Sequence, residues 1–274
     1  MPELPEVHTV VTRLDGALRG AVVESVELFR NDVVKRGRPQ TVRAITGRTV
    51  LDVVRHGKRI EWRLAPHGSL YVHLGMTGNL LLEPCDAPIF PHTHIRIRFR
   101  DFDREVRFRD PRRFGGVWTD DARSGRAGGR FSTDLGPDAL SVRLPGFRTA
   151  LARRREVKAL LLDQGVVAGL GNIYADESLH RARIHPRRLG ASLAGHEVAE
   201  LLAAIRTVLR AAIRAGGSSL RDYRNADGEP GWFQIRHRVY GRAGEPCRRC
   251  GTAIVSEVVA ARTTHYCPRC QSVR

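Results

Sequence analysis

The hydrophobic residues change their period part-way along the chain, and this limits the fold more than any other feature. From about Val22 to Val117, short segments alternate apolar and polar residues, among them Val50 to Val54, Leu70 to Leu74 and Ile95 to Phe99. Alternation puts one face of a strand in a core and the other in solvent. Several such strands with turn signals between them predict a two-layer sandwich or barrel rather than a parallel sheet. Ahead of them, Val7, Val10, Val11, Leu14 and Leu18 recur at spacings of three and four after Pro5, predicting a leading amphipathic helix. Between about Asp120 and Pro145 the composition shifts to Gly, Ser, Asp and Pro, with Ser124 to Gly129 the most open piece, and a domain junction is expected there. Beyond it the period becomes helical, near 146–163, 171–182 and 194–215, the last carrying Leu201, Leu202, Ile205, Leu209 and Ile213. The chain therefore reads as an α+β multidomain protein: a β-sandwich with a leading helix in 1–133, a helical domain in 134–238 and a cysteine-bearing tail in 239–274.

In that tail Cys247 and Cys250 are separated by two residues, as are Cys267 and Cys270, with sixteen residues between the pairs. Each pair grips one side of a tetrahedral ion, and four thiolates leave no position open for water, so one structural zinc is expected. A disulfide pair is the competing reading, and Cys85 stands outside the pattern. The segments Ile254 to Val259 and Thr263 to Tyr266 are plausible strands of a β-hairpin finger with Arg262 at its turn. A tip arginine suits a nucleic-acid phosphate, although many zinc ribbons bind protein instead.

The formal charge is +17, with Lys+Arg 46 against Asp+Glu 29. Such an excess favours polyanions, because neutralising phosphates releases counterions. Arginine codon bias explains much of the Arg:Lys ratio, since only Lys35, Lys58 and Lys158 are lysines, but not the net excess. A position that keeps lysine in this background is a candidate for a cation that must give up a proton, which arginine does not do. Lys58, just before an alternating strand, is also readable as a solvated edge residue. No apolar run approaches the roughly 20 residues that span a bilayer, and the opening shows no cationic and apolar signal pattern, so an intracellular, cytoplasmic location is expected.

Met1 precedes Pro2, and a small second residue permits removal of the initiator methionine. The freed prolyl nitrogen would be a secondary amine titrating near pH 7.7–8.0, a usable nucleophile at neutral pH. Attack on a sugar C1′ would give an iminium ion, with Glu3 alongside to supply a proton. Taken alone, a proline at a terminus is more simply structural.

Five dispersed motifs bear on that choice: Pro2 to Val7, His73 to Gly78, Asp110 to Gly115, Gly169 to Tyr174, and the terminal finger. In order and spacing the whole chain resembles the formamidopyrimidine-DNA glycosylases. The resemblance implies a sandwich with a leading helix, a helix–two-turn–helix domain and a zinc finger, with DNA in the cleft between. It implies a monomer that acts on double-stranded DNA containing oxidised bases or abasic sites, in a bacterial cytoplasm and associated with the nucleoid. It assigns Pro2 as Schiff-base nucleophile, Glu3 as general acid, Lys58 as proton donor for β-elimination, and Arg262 as the δ-elimination arginine, chiefly holding a phosphate.

Met76, Arg112 and Phe114 match the residues that fill the hole left by an everted nucleotide. Their joint presence favours this family over its endonuclease VIII-like relatives. Asn172 at a helix N-terminus is expected on phosphate, with Gly169 and Gly171 allowing close approach. His92, Arg154 and Lys158 align with family DNA contacts, and Glu177 with a supporting acid. The stretch from Gly216 to Tyr223 resembles the loop covering the flipped base, at the length of the 8-oxoguanine-recognising members, which favours oxidised purines over oxidised pyrimidines. His8 and Ala168 depart from the usual residues. The competing functions are an endonuclease VIII-like glycosylase, a non-catalytic damaged-DNA-binding relative and a zinc-ribbon transcription or interaction factor.

Overall fold

The computed structural model describes residues 1–120, 134–220 and 222–272. The open stretch from Ser124 to Gly129 lies outside the described residues, as does Arg221. The chain divides into two compact units, one of Met1–Thr133 with Ala215–Trp232, the other of Asp134–Arg214 with Phe233–Arg274.

In the first unit, helix α1 (Leu4–Leu18) buries Leu4, Val7, Val10, Val11, Leu14 and Leu18. It packs on β2 (Thr49–His56) and β3 (Arg59–Ala65). The Val53 amide donates to the Asp15 carboxylate at 2.8 Å, fixing the helix along the strand. One antiparallel sheet has the order β2, β3, β4 (Ser69–His73), β8 (Gly116–Thr119). The other runs β1 (Val23–Leu28), β6 (Thr93–Phe99), β7 (Arg104–Arg109), β5 (Asn79–Pro84), and the short helix α2 (Pro39–Arg43) lies between β1 and β2 in the chain. The two sheets are separate in pairing, so the sandwich rather than the barrel is realised. Trp62, Leu70 and Val72 from the first sheet face Leu80, Ile97, Val106 and Phe108 from the second, and Trp62 stacks on Phe99 with ring centroids 6.1 Å apart.

Ala215–Trp232, assigned above to the helical domain, belongs to this first unit. Tyr223 and Ala226 are buried in the sandwich core. The Asn79 side chain donates to the Asp222 carbonyl and accepts from the Arg224 amide. Loop-like composition hid the two apolar residues that decide where this segment packs.

The second unit holds α3 (Leu144–Leu151), α4 (Val157–Leu162), α5 (Asn172–Ala182), α6 (Gly195–Arg214) and the hairpin β9 (Val255–Val259), β10 (Arg262–Tyr266). The expected helix over 146–163 is two helices. Between them, the Val157 amide donates to the Arg188 carbonyl, and the Gly190 and Ala191 amides donate to the Arg155 and Arg153 carbonyls. Pairing with 188–191 overrides the helix propensity of the arginine run. Among the described residues, no helix is long and apolar enough to cross a membrane.

All three tryptophans, Trp62, Trp118 and Trp232, lie in the first unit, so their fluorescence reports its unfolding alone. Phe108→Ala is expected to lower the unfolding free energy read this way in urea by about 3–5 kcal/mol, the transfer and cavity terms together. A loss below about 1 kcal/mol would mean that the sheets do not rest on this ring.

Candidate functional site

The first turn of α1 is held from both sides by one carboxylate. Pro2 and Glu3 are buried, and Met1 is exposed. Glu3 is the N-cap, and its side chain and that of Glu6 each accept the other's backbone amide in a capping box. The Glu3 amide donates to Glu6 Oε2 at 2.8 Å, and the Ser218 amide donates to Glu6 Oε1 at 2.7 Å. The Tyr223 hydroxyl donates to the Glu6 carbonyl. Gly217 has φ +86°, and a Cβ there would lie 2.7 Å from the Glu6 carboxylate. Gly217, Ser218 and Tyr223 thus seat on the segment that carries Pro2 and Glu3.

Lys58 is in the two-residue turn between β2 and β3 and is only 8% exposed. Arg59 pairs with His73 across the ladder, which brings this turn beside the His73 to Gly78 segment. Burial, followed by the charges of Arg59 and Lys58, pushes His73 down to about 4. It is therefore neutral at pH 7, and its Nδ1 accepts the Gly75 amide at 3.3 Å.

Gly75 has φ +63°, and a Cβ there would sit 2.3 Å from the Gly115 nitrogen, so the two loops touch backbone to backbone. Buried Asp110 locks them together by accepting from Thr77 Oγ1 and from the Arg112 and Gly115 amides. One carboxylate therefore sets the backbone on which exposed Met76, Arg112 and Phe114 stand. The Arg112 guanidinium lies over the Phe114 ring, 4.5 Å from its centroid. His92 is exposed, with φ 69° and its carbonyl on the Asp110 amide.

In the second unit Asn172 opens α5 behind Gly171, and its Nδ2 donates to the Thr263 carbonyl at 2.7 Å. Gly169, with φ +110°, precedes it. Arg154 is exposed between α3 and α4, and Arg262 is exposed on the finger. Arg262 is the first residue of β10, not the turn itself; Ala260 and Ala261 make the turn.

Lys158, expected on DNA, is completely buried. It sits on the buried face of α4, and its ammonium pairs with Asp176 Oδ1 at 2.6 Å and donates to Thr264 Oγ1 at 2.6 Å. It therefore does not present its charge to a ligand. Glu177, also buried, accepts the amides of Arg238, Val239 and Tyr240, and burial raises its pKa despite those bonds. Ala168 is buried and bridges Asp138, and His8 is half-buried.

The four sulfurs of Cys247, Cys250, Cys267 and Cys270 lie within 4.8 Å of one another. Cys250 to Cys267 is 3.4 Å and Cys247 to Cys270 is 4.0 Å. A tetrahedron with bonds of about 2.3 Å has edges of roughly 3.8 Å, so the four thiolates fit one zinc ion. Cys247 and Cys267 also join Val239 and Ile254 in a small core.

Residues 1–117 match the model of the formamidopyrimidine-DNA glycosylase N-terminal domain, 135–224 that of its H2TH domain, and 244–273 a zinc finger found in FPG and IleRS. The chain belongs to the formamidopyrimidine-DNA glycosylase family. A Roseiflexus sp. formamidopyrimidine-DNA glycosylase is 45% identical, covering 99% of this chain and 100% of its own. The MutM (FPG) protein of Thermus thermophilus superposes with a TM-score of 0.86 at 42% identity over all of both chains. Lactococcus lactis Fpg, in complex with an abasic site containing DNA, superposes with a TM-score of 0.89 at 35% identity, covering 99% of this chain and 100% of its own.

Within this family fold, the residues that sequence reasoning missed are Glu6, Asp110 and Asp176. Each lies inside or beside a recognised motif. Only the Glu3-x-x-Glu6 spacing carried a local signal, that of a capping box.

Stripping the metal with a strong chelator is expected to open the finger, making all four cysteines reactive, while leaving the tryptophan signal of the first unit unchanged. Thiol titration alongside fluorescence reads both, and cysteines that stay protected would mean that zinc does not hold the finger. For His73, the folded value of about 4 lies below the ordinary 6.5. The unfolded chain then takes up the proton first, so stability present above pH 6.5 drains away as the pH falls towards 4. The decline in urea midpoint over that window is expected to be shallower in His73→Asn, and equal slopes would exclude His73 as its source.

Proposed function

We propose that this chain is a bifunctional DNA glycosylase and AP lyase of base excision repair that removes oxidised purines through an N-terminal proline Schiff base. The observation that carries the reading is the capped turn, in which Glu6 pins Glu3 directly after Pro2 and bonds Ser218 and Tyr223 to the same segment. The family supports the substrate class, since solved relatives hold DNA with Fapy-dG, an abasic site or a carbocyclic 8-oxo-G.

Once Met1 is removed, the Pro2 nitrogen attacks C1′ of the everted nucleotide. The bond to the base breaks, and Glu3 supplies the proton needed for sugar-ring opening to the iminium ion. Loss of a C2′ proton then expels the 3′ phosphate as the C3′–O3′ bond breaks, with Lys58 protonating the departing group. Loss of the C4′ proton to water expels the 5′ phosphate as the C5′–O5′ bond breaks, with Arg262 gripping that phosphate. Met76, Arg112 and Phe114 fill the vacated stack and address the orphaned base, while Asn172, His92 and Arg154 contact the backbone. When bound, zinc folds the finger and supplies no chemistry to these steps. The working location is the bacterial cytoplasm, on nucleoid DNA.

Borohydride is expected to trap processed protein on lesion-bearing duplex, with the adduct mapping to Pro2. Glu3→Gln is expected to slow base release by about 10²–10⁴-fold yet still cut a preformed abasic site. An adduct mapping elsewhere, or none with any lesion, overturns the mechanism. Comparing 8-oxoguanine opposite cytosine with thymine glycol opposite adenine tests the menu. Faster excision of thymine glycol assigns the chain to oxidised pyrimidines.

A further inference from the structure

The finger tip is a strained hairpin held from the side. Ala260 and Ala261 have φ 51° and 55°, the left-handed region, which a Cβ disfavours. Two-residue turns of this kind normally use glycine or asparagine. Cys267 is five residues beyond Arg262 along the chain. At about 3.4 Å per residue the zinc end is therefore roughly 17 Å from the arginine, too far to fix the tip.

What fixes it is a polar clamp from α4 and α5. Asn172 Nδ2 donates to the Thr263 carbonyl, and the His265 amide donates to Asp176 Oδ2 at 2.9 Å. Between these, Lys158 donates to Thr264 Oγ1, and that hydroxyl donates in turn to the Arg262 carbonyl at 3.0 Å. Lys158, Asp176 and Thr264 are almost entirely buried. An ion pair so buried contributes little net stability compared with apolar side chains of the same size. Its place in an otherwise apolar α4 is explained by direction: it orients the hydroxyl that orients the Arg262 peptide.

We propose that Lys158, Asp176 and Thr264 are positioning residues for Arg262, holding it where the 5′ phosphate departs in the δ-elimination. This rests on the assignment of Arg262 given above. Pro2, Glu3 and Lys58 belong to the other unit, so the clamp controls the ratio of β,δ to β product rather than base release. Misplacing a charge-gripping group costs up to about 10²-fold in rate.

The test uses full-length zinc-loaded protein on an abasic-site duplex, separating the β product from the phosphate-ended β,δ product on a gel. Lys158→Met combined with Asp176→Asn removes the buried charges together and leaves the His265 amide an acceptor. The β,δ to β ratio is expected to fall about tenfold, with borohydride trapping unchanged. Thr264→Val, which removes only the hydroxyl, is expected to lower the ratio too, and Thr264→Ser to restore it. It carries the test if the double variant loses zinc. An unchanged ratio in Thr264→Val while Arg262→Ala loses δ-elimination overturns the clamp and leaves the Arg262 assignment standing. An unchanged ratio in Arg262→Ala itself overturns that assignment and the clamp with it.

Discussion

Buried carboxylates that take their hydrogen bonds from main-chain amides organise the segment of Pro2 and Glu3, the loops of Met76, Arg112 and Phe114, and the seat of the finger. An ionised carboxylate in a protein interior is expensive unless its lone pairs are filled, and amide donors fill them at fixed positions along the backbone. Glu6 joins the Glu3 and Ser218 amides, and Asp110 joins those of Arg112 and Gly115. Asp176 takes the His265 amide, and Glu177 takes the amides of Arg238, Val239 and Tyr240. Each acid fixes a stretch of backbone at set positions, and at Asp110 and Asp176 exposed side chains stand nearby on that backbone. Met76, Arg112, Phe114 and Arg262 are exposed because the peptides around them are tied down.

The lysines show why charge alone is a poor guide to role. The three sit differently: Lys35 is exposed and donates to the Asp32 and Arg113 carbonyls, Lys58 is nearly covered, and Lys158 is fully covered. A planar guanidinium would not serve Lys158, whose compact head meets a carboxylate and a hydroxyl in different directions. Retention of lysine in an arginine-rich chain therefore marks geometry here as much as proton transfer. The surplus arginines that remain exposed, Arg154 and Arg262 among them, supply the attraction to polyanions.

Much of the fold was legible because it follows from period and spacing. Alternation marked the strands, the three-and-four spacing marked α1 and α6, and the paired cysteines marked a site that closes to zinc dimensions. What escaped depended on contacts distant in sequence. The break between α3 and α4 is made by pairing with residues some thirty positions on. The seat of Ala215–Trp232 is decided by Tyr223 and Ala226 entering a core built from other strands. The motif match placed Lys158 on DNA, whereas its ammonium points into the unit, onto Asp176 and Thr264.

Helix α5 is the clearest case of a structure that composition conceals. Its sequence, with Asn172, Asp176, Glu177, Ser178 and His180, reads as solvent-facing, yet all but the first are buried. Asn172 and Asp176 are one turn apart and meet β10 at Thr263 and His265. Glu177, the next residue round, meets the amides that lead into the first cysteine pair, and His180 reaches the Cys247 sulfur at 3.5 Å. Helical periodicity thus turns a short polar run into two faces that hold opposite ends of the finger. The polar groups face peptides instead of water. A hydrophobic helix in the same place would pack as well but would leave the amides of 238–240 and 265 without acceptors, and the finger would have no fixed orientation on its helix.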